Sequence, residues 1–227
     1  MTFKEQLSDD VTLYCGDCRE VIPTLDKIDA VVTDPPYGIE ELVVGYGRTA
    51  VGKTHINIAG DKNLDCMVEV FELIKRFGNL WIAAFYSCRI SPTFFQATAS
   101  LDYHGEMVWD KKVLGFGRDI RYQHENVAFF KVGEPELLGS CASVLSYMRA
   151  NGENLHPHEK PVQVMNNICS IVPGKIILDP FMGSGSTGVA AVQLKRGFIG
   201  VEFDQKYFDI ARKRISEALK QPVAFWE

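Results

Sequence analysis

The chain has 227 residues, 46% hydrophobic and 23% charged, with a formal net charge of −5. That length and composition suit one α/β domain with a full core, or one domain plus a small insertion, and exclude a disordered or fibrous chain. No apolar run approaches a bilayer span, and the acidic balance argues against bulk attraction to a polyanion, so any such contact must come from a local basic patch.

Residues 1–10 are polar and acidic and unlike a signal peptide. The six cysteines are scattered, and only Cys15 and Cys18 have C-x-x-C spacing. No second pair or histidine completes a zinc set, so they read as reduced thiols of a cytoplasmic protein, with no metal expected. Residues 11–15 read as a short strand followed by the turn Gly16-Asp17-Cys18, and 19–25 as a short helix or turn cut by Pro23. The apolar run at 28–33 reads as a buried strand. Residues 38–61 form a long stretch with little periodicity, expected to be a loop that closes over a substrate.

Helical spacing marks 64–77, with Gly78 as C-cap, and 80–86 reads as a buried strand. Residues 91–101 read as a helix with Ser91 as N-cap and Pro92 at its first position. Residues 106–109 and 126–132 read as strands. Between them lie Lys111, Lys112, Arg118 and Arg121, flanked by Trp109, Phe116 and Tyr122. Cations mixed with aromatics are what a nucleic-acid surface needs; a solvated loop is the equal alternative. Residues 133–155 are weakly patterned. His156-Pro-His-Glu-Lys-Pro161 opens an amphipathic helix over 162–172. A strand at 175–178, a helix at 188–195, a strand at 198–201 ending at Glu202, and a helix at 204–220 complete the chain. Seven strands alternating with helices predict a mostly parallel, doubly wound sheet.

Two stretches carry chemistry. Asp34-Pro35-Pro36-Tyr37 follows the strand at 28–33, at the end where open α/β sheets bind ligands. An exocyclic amine on an aromatic ring is a poor nucleophile because its lone pair is delocalised. A carboxylate and a rigidly aimed carbonyl can take its two N–H bonds and turn it toward tetrahedral geometry. The paired prolines fix the backbone and remove competing donors, and Tyr37 offers a face for a flat base. The second stretch, Asp179 to Thr187, is a strand, a glycine turn and a helix start. It lacks a P-loop lysine and does not complete G-x-G-x-x-G. One strand later, Glu202 is placed to take both hydroxyls of a ribose. The ligand then has a ribose and a carboxylate, as S-adenosylmethionine does.

Asp34-Pro-Pro-Tyr37, Asp179-Pro-Phe-Met-Gly-Ser-Gly-Ser186 and His156-Pro-x-Glu-Lys-Pro161 together resemble the amino-methyltransferases of DNA, which act on N6 of adenine or N4 of cytosine. The motif order, tetrapeptide first and glycines late, is similar to their β group, a permuted methyltransferase fold, and the likeness spans about residues 11–215. The resemblance implies a Rossmann-like seven-stranded sheet, S-adenosylmethionine as cofactor, and direct transfer to a base flipped out of DNA. It implies that Asp34, Pro35, Pro36 and Tyr37 hold the target amine and base, Asp34 also reaching the cofactor's amino group. Phe181, Gly183, Ser184, Gly185 and Ser186 would cradle the methionine part, with Asp179 opening that motif. Glu202 would take the ribose, Phe203 flank the adenine, and Asp17 and Cys18 meet its edge. His156, Lys160 and Pro161 would close the cofactor pocket. His124-Glu125 would help hold the flipped base, and Lys111, Arg118 and Arg121 would contact DNA.

For Asp179 a purely bracing role is the alternative, for Cys18 a backbone-only contact, and for Phe203 a place in the core. The family likeness also implies a homodimer in a bacterial or phage-infected cytoplasm. Residues 133–155 are short for a target-recognition segment, which leaves relaxed specificity, or help from a second subunit and the 38–61 loop. Aspartate at the first motif position favours adenine. N4-cytosine, RNA or glutamine methylation, a catalytically dead dimer subunit and a dinucleotide oxidoreductase are the other readings.

Overall fold

A computed structural model describes residues 2–36, 64–115, 120–148 and 159–221. The expectations for Tyr37, the 38–61 loop, Arg118 and His156 lie outside the described residues, as does the end of the 133–155 segment.

The strands are β1 (Phe3–Ser8), β2 (Val11–Cys15), β3 (Ala30–Thr33), β4 (Leu80–Tyr86), β5 (Asp102–Asp110), β6 (His124–Val132), β7 (Val144–Ser146), β8 (Ile176–Asp179) and β9 (Gly197–Glu202). They form one sheet in the order β1-β2-β9-β8-β3-β4-β6-β5-β7. All neighbours from β2 to β4 are parallel, while β6 runs antiparallel to both β4 and β5. The helices are α1 (Cys18–Val21), α2 (Asp65–Ile74), α3 (Ser91–Ala97), α4 (Val162–Ile171), α5 (Ser186–Gln193) and α6 (Gln205–Lys220). None of the described helices is long and apolar enough to cross a membrane.

The central strands are apolar without alternation because both of their faces are covered. Ala30 and Val32 of β3 join one core with Ala83 of β4, Ile168 of α4, Ala190 of α5 and Ala211 and Ile215 of α6. Val31 points the other way, joining Ile82 with Met67, Val70, Phe71 and Ile74 of α2 and Phe94 of α3. This is the doubly wound arrangement expected.

Two strands exceed the seven expected, and both are at sheet edges. β1 (FKEQLS) pairs antiparallel with β2 and has no fully buried residue, so it carries no hydrophobic period to read. β7 is three residues long with only Leu145 buried. The helix at 91–101 also needs correction. It ends at Ala97, and Ile90 rather than Ser91 is its N-cap. A 3-10 turn (Cys88–Ile90) runs directly into it, so Ser91 is already helical and its hydroxyl donates to the Cys88 carbonyl at 2.9 Å. β5 and β6 extend past their expected ends, so His124 and Glu125 lie within β6 and not before it.

Candidate active site

The C-terminal ends of β3, β8 and β9 lie side by side, with Val31 opposite Leu178 and Asp179 opposite Gly200. Asp179 ends β8 at 2% exposure. Its carboxylate accepts from Thr33 Oγ1 at 2.7 Å, Thr187 Oγ1 at 2.6 Å and the Phe181 amide at 3.1 Å. The Thr33 bond crosses from the strand before Asp34 to the strand before the glycine turn, so it ties the two motifs together. Burial pushes the Asp179 carboxyl up to about 6, against the pull of these three donors. Geometrically Asp179 is a brace: its oxygens point inward, to the ends of β3 and α5.

The turn itself needs glycine twice. Gly183 has φ +54 and Gly185 φ +83, both left-handed. A Cβ on Gly183 would enter open space, whereas one on Gly185 would meet Ala211 Cβ at 2.9 Å and Ala211 Cα at 3.0 Å. One glycine therefore borders open space and the other lets α6 press against the turn. Glu202, at the end of β9, accepts from the Gly183 amide and the Asp204 amide, each at 2.8 Å. Burial raises its carboxyl from the ordinary glutamate value. The Phe203 amide also donates toward it, and with about four acceptor sites the carboxylate is aimed but not saturated. Phe203 beside it is 64% exposed, which removes the core reading.

The loop after β2 meets the same edge, the Gly16 amide donating to the Glu202 carbonyl at 2.9 Å. Asp17 caps α1, accepting from the Arg19 amide at 2.9 Å, and binds the Arg19 guanidinium at 2.6 Å. That hydrogen bonding holds the Asp17 carboxyl below its usual range. Cys18 is buried, and its thiol is pushed up by hydrogen bonding to the Cys66 thiol and by burial.

Lys160 reaches across the fold to Asp34. Its ammonium pairs with Asp34 Oδ2 and, at 3.2 Å, with Glu125 Oε2, and lies 5.1 Å from the Phe85 ring centre. Glu125 Oε1 in turn pairs with Lys111 at 3.0 Å. The side chains of Lys160 and Lys111 are only 6% and 9% exposed. Burial pushes Glu125 up, but the two ammoniums override it and hold it down to about 2. Burial works against the charge on Lys160, and Asp34 and Glu125 raise its pKa regardless. The result is an alternating row of buried charges ending at Asp34.

That row changes the reading of several residues. Lys111 was expected on a DNA-facing surface; it is buried and paired because β5 and β6 extend to flank it. Glu125 points at the two lysines. Arg121 remains at the surface of the β5–β6 connection, its Nε donating to the Gly115 carbonyl at 2.8 Å. His124 packs edge-on to Tyr122, with ring centres 5.9 Å apart, and Arg89 lies 5.6 Å over that same Tyr122 ring. Sequence reasoning missed Thr33, Thr187 and Arg214. Arg214 donates to the Ser184 carbonyl at 2.7 Å and to Ser184 Oγ at 2.9 Å, and pairs with Glu159 at 2.7 Å. The hydroxyls carried a weak signal, each lying next to or within a recognised motif, but an arginine on the last helix carried none.

Comparisons with known proteins show a family and a fold. A family model for N6/N4 methyltransferases, described as DNA methylase, matches residues 75–213. The protein YubD of Escherichia coli (strain K12), provisionally described as a methylase, is 31% identical over 211 residues, covering 88% of each chain. The crystal structure of the M1.HpyAVI–SAM complex superposes with a TM-score of 0.67 at 23% identity, covering 90% of this chain and 98% of that one. The cytosine-N4-specific PvuII DNA methyltransferase superposes with a TM-score of 0.64 at 14% identity, covering 91% and 86%.

Proposed function

The chain belongs to the N6/N4 DNA methylase family, and from that premise we propose that it uses S-adenosylmethionine to methylate N6 of adenine in DNA. The observation that carries this reading is the junction of the two motifs. The Thr33–Asp179 bond ties the strand end before Asp34 to the residue that opens the glycine turn. S-adenosylmethionine, when bound, supplies an electrophilic methyl group. The residues present fit it: Gly183 borders open space, the first turn of α5 offers amides to a carboxylate, and Glu202 keeps acceptor capacity for the ribose. Phe203 is exposed where it can cover the adenine ring, and Asp17 and Cys18 line the neighbouring edge.

Asp34 and the Pro35 carbonyl take the two N–H bonds of the target amine and leave its lone pair aimed at the methyl group. Lys160 holds Asp34 in that orientation. Pro35 and Pro36 stiffen the turn, and Tyr37 stacks on the base. The chain contributes position and hydrogen bonds, with no covalent intermediate. In duplex DNA the base is first flipped out, at about a few kcal/mol. We assign DNA contact to Arg121 and His124, and a homodimer belongs to the same reading.

The test is transfer of tritiated methyl from S-adenosylmethionine to unmethylated DNA, followed by nucleoside analysis. Label in N6-methyldeoxyadenosine, reduced about a hundredfold or more by Asp34→Ala, is the expected result. Label in N4-methyldeoxycytidine overturns the choice of base, and no label in DNA overturns the activity.

A further inference from the structure

We infer that Arg214 is a positioning residue that locks the cofactor turn and the segment carrying Lys160 into one unit. The inference rests on the cofactor reading above and deepens it. One guanidinium reaches four acceptor atoms on two separate stretches of chain, the longest contact being Ser186 Oγ at 3.5 Å. On the glycine turn it donates to the Ser184 carbonyl at 2.7 Å and to Ser184 Oγ at 2.9 Å. On the other stretch it pairs with Glu159 Oε1 at 2.7 Å, one residue before Lys160. Both charged side chains are largely buried, Arg214 at 17% and Glu159 at 15% exposure. The planar fork of arginine suits such a junction, since its donors point in fixed directions.

A second, independent contact places α6 against the same turn. The absent Cβ of Gly185 leaves room for Ala211 and Ile215, which would otherwise lie 2.9 Å and 3.2 Å from it. Ala211, Arg214 and Ile215 are spaced to share one face of α6. That face therefore supports the turn by packing and ties it by hydrogen bonds. Lys160 then extends from the tied segment to Asp34. A continuous path runs from Ser184, on the cofactor side, through Arg214, Glu159 and Lys160 to Asp34, on the target side. Cofactor seated on the turn would stiffen the group that orients the amine.

Arg214→Ala, Arg214→Lys and Glu159→Gln test this by two readouts. The first is backbone amide hydrogen exchange without cofactor, read at the bonded amides of Gly185 in the turn and of Val164 and Met165 just after Lys160. Arg214→Ala should speed exchange about tenfold or more in both places, with β3 and β4 unchanged. Glu159→Gln should do so only at Val164 and Met165, and Arg214→Lys should fall between wild type and Arg214→Ala. The second readout is calorimetric titration with S-adenosylmethionine, in which Arg214→Ala should weaken Kd about tenfold. Unchanged exchange at either site in Arg214→Ala, exchange raised uniformly across the sheet, or an unchanged Kd overturns the inference. If the wild-type protein bound no S-adenosylmethionine, the functional reading would fail, while the exchange pattern would still decide the role of Arg214.

Discussion

Asp179 and Glu125 are both buried carboxylates near the cleft, yet they respond to pH in opposite senses. Asp179 has hydroxyl and amide partners but no cation among them, so burial dominates and its folded pKa rises to about 6. A raised acid stabilises the fold fully below the unfolded value, and that contribution is lost as pH rises through 6. Asp179→Asn removes this dependence. Denaturant titrations should show wild type gaining about 1 kcal/mol over the variant between pH 7 and pH 5; a constant difference would contradict the burial argument. Glu125 is held down to about 2 by two ammoniums, so its contribution is present above the unfolded value and lost as pH falls through 2. Its removal by Glu125→Ala leaves two largely buried lysines short of a partner. The expected cost is roughly 3–5 kcal/mol, read as a lower denaturation midpoint at neutral pH, and a loss under about 1 kcal/mol would mean the row is solvated.

At the scale of elements, the glycine turn between β8 and α5 is the point of least tolerance. Gly185 combines a left-handed φ with contact against α6. Gly185→Ala should therefore add roughly 1–2 kcal/mol of backbone strain to about 1–3 kcal/mol of overpacking. Thermal unfolding checks this, and an unchanged melting temperature would show that α6 can retreat. What sequence made legible follows the same physics. β3, β4, β8 and β9 announce themselves because strands buried on both faces are apolar throughout. β1 and β7 stayed hidden because edge strands bury little and are held mainly by backbone bonds to their neighbours. Ser91 misled because a serine before proline is a good cap, but the preceding 3-10 turn had already started the helical path.

In the molecule as a whole, the site divides by distance along the chain. Asp34, the glycine turn and Glu202 could be read from sequence because each sits at a strand end within a local motif. The destination of Lys160 could not, since it contacts a carboxylate 126 positions away. Nor could the burial of Lys111, which depends on how far β5 and β6 extend. The acidic chain uses those two lysines internally, which leaves Lys112 and Arg121 as the exposed cations of the described part of that segment.

All of this depends on the Asp34 turn and the glycine turn opening onto one cavity. A crystal structure with S-adenosylmethionine bound is the most direct measurement. A methyl carbon about 3–3.5 Å from its acceptor nitrogen, itself hydrogen-bonded to Asp34, requires the methyl group within roughly 6 Å of the Asp34 carboxylate. The account predicts the cofactor there, with its ribose on Glu202 and its carboxylate at the start of α5. Cofactor bound elsewhere, or bound at the turn with its methyl group directed away from Asp34, would contradict it.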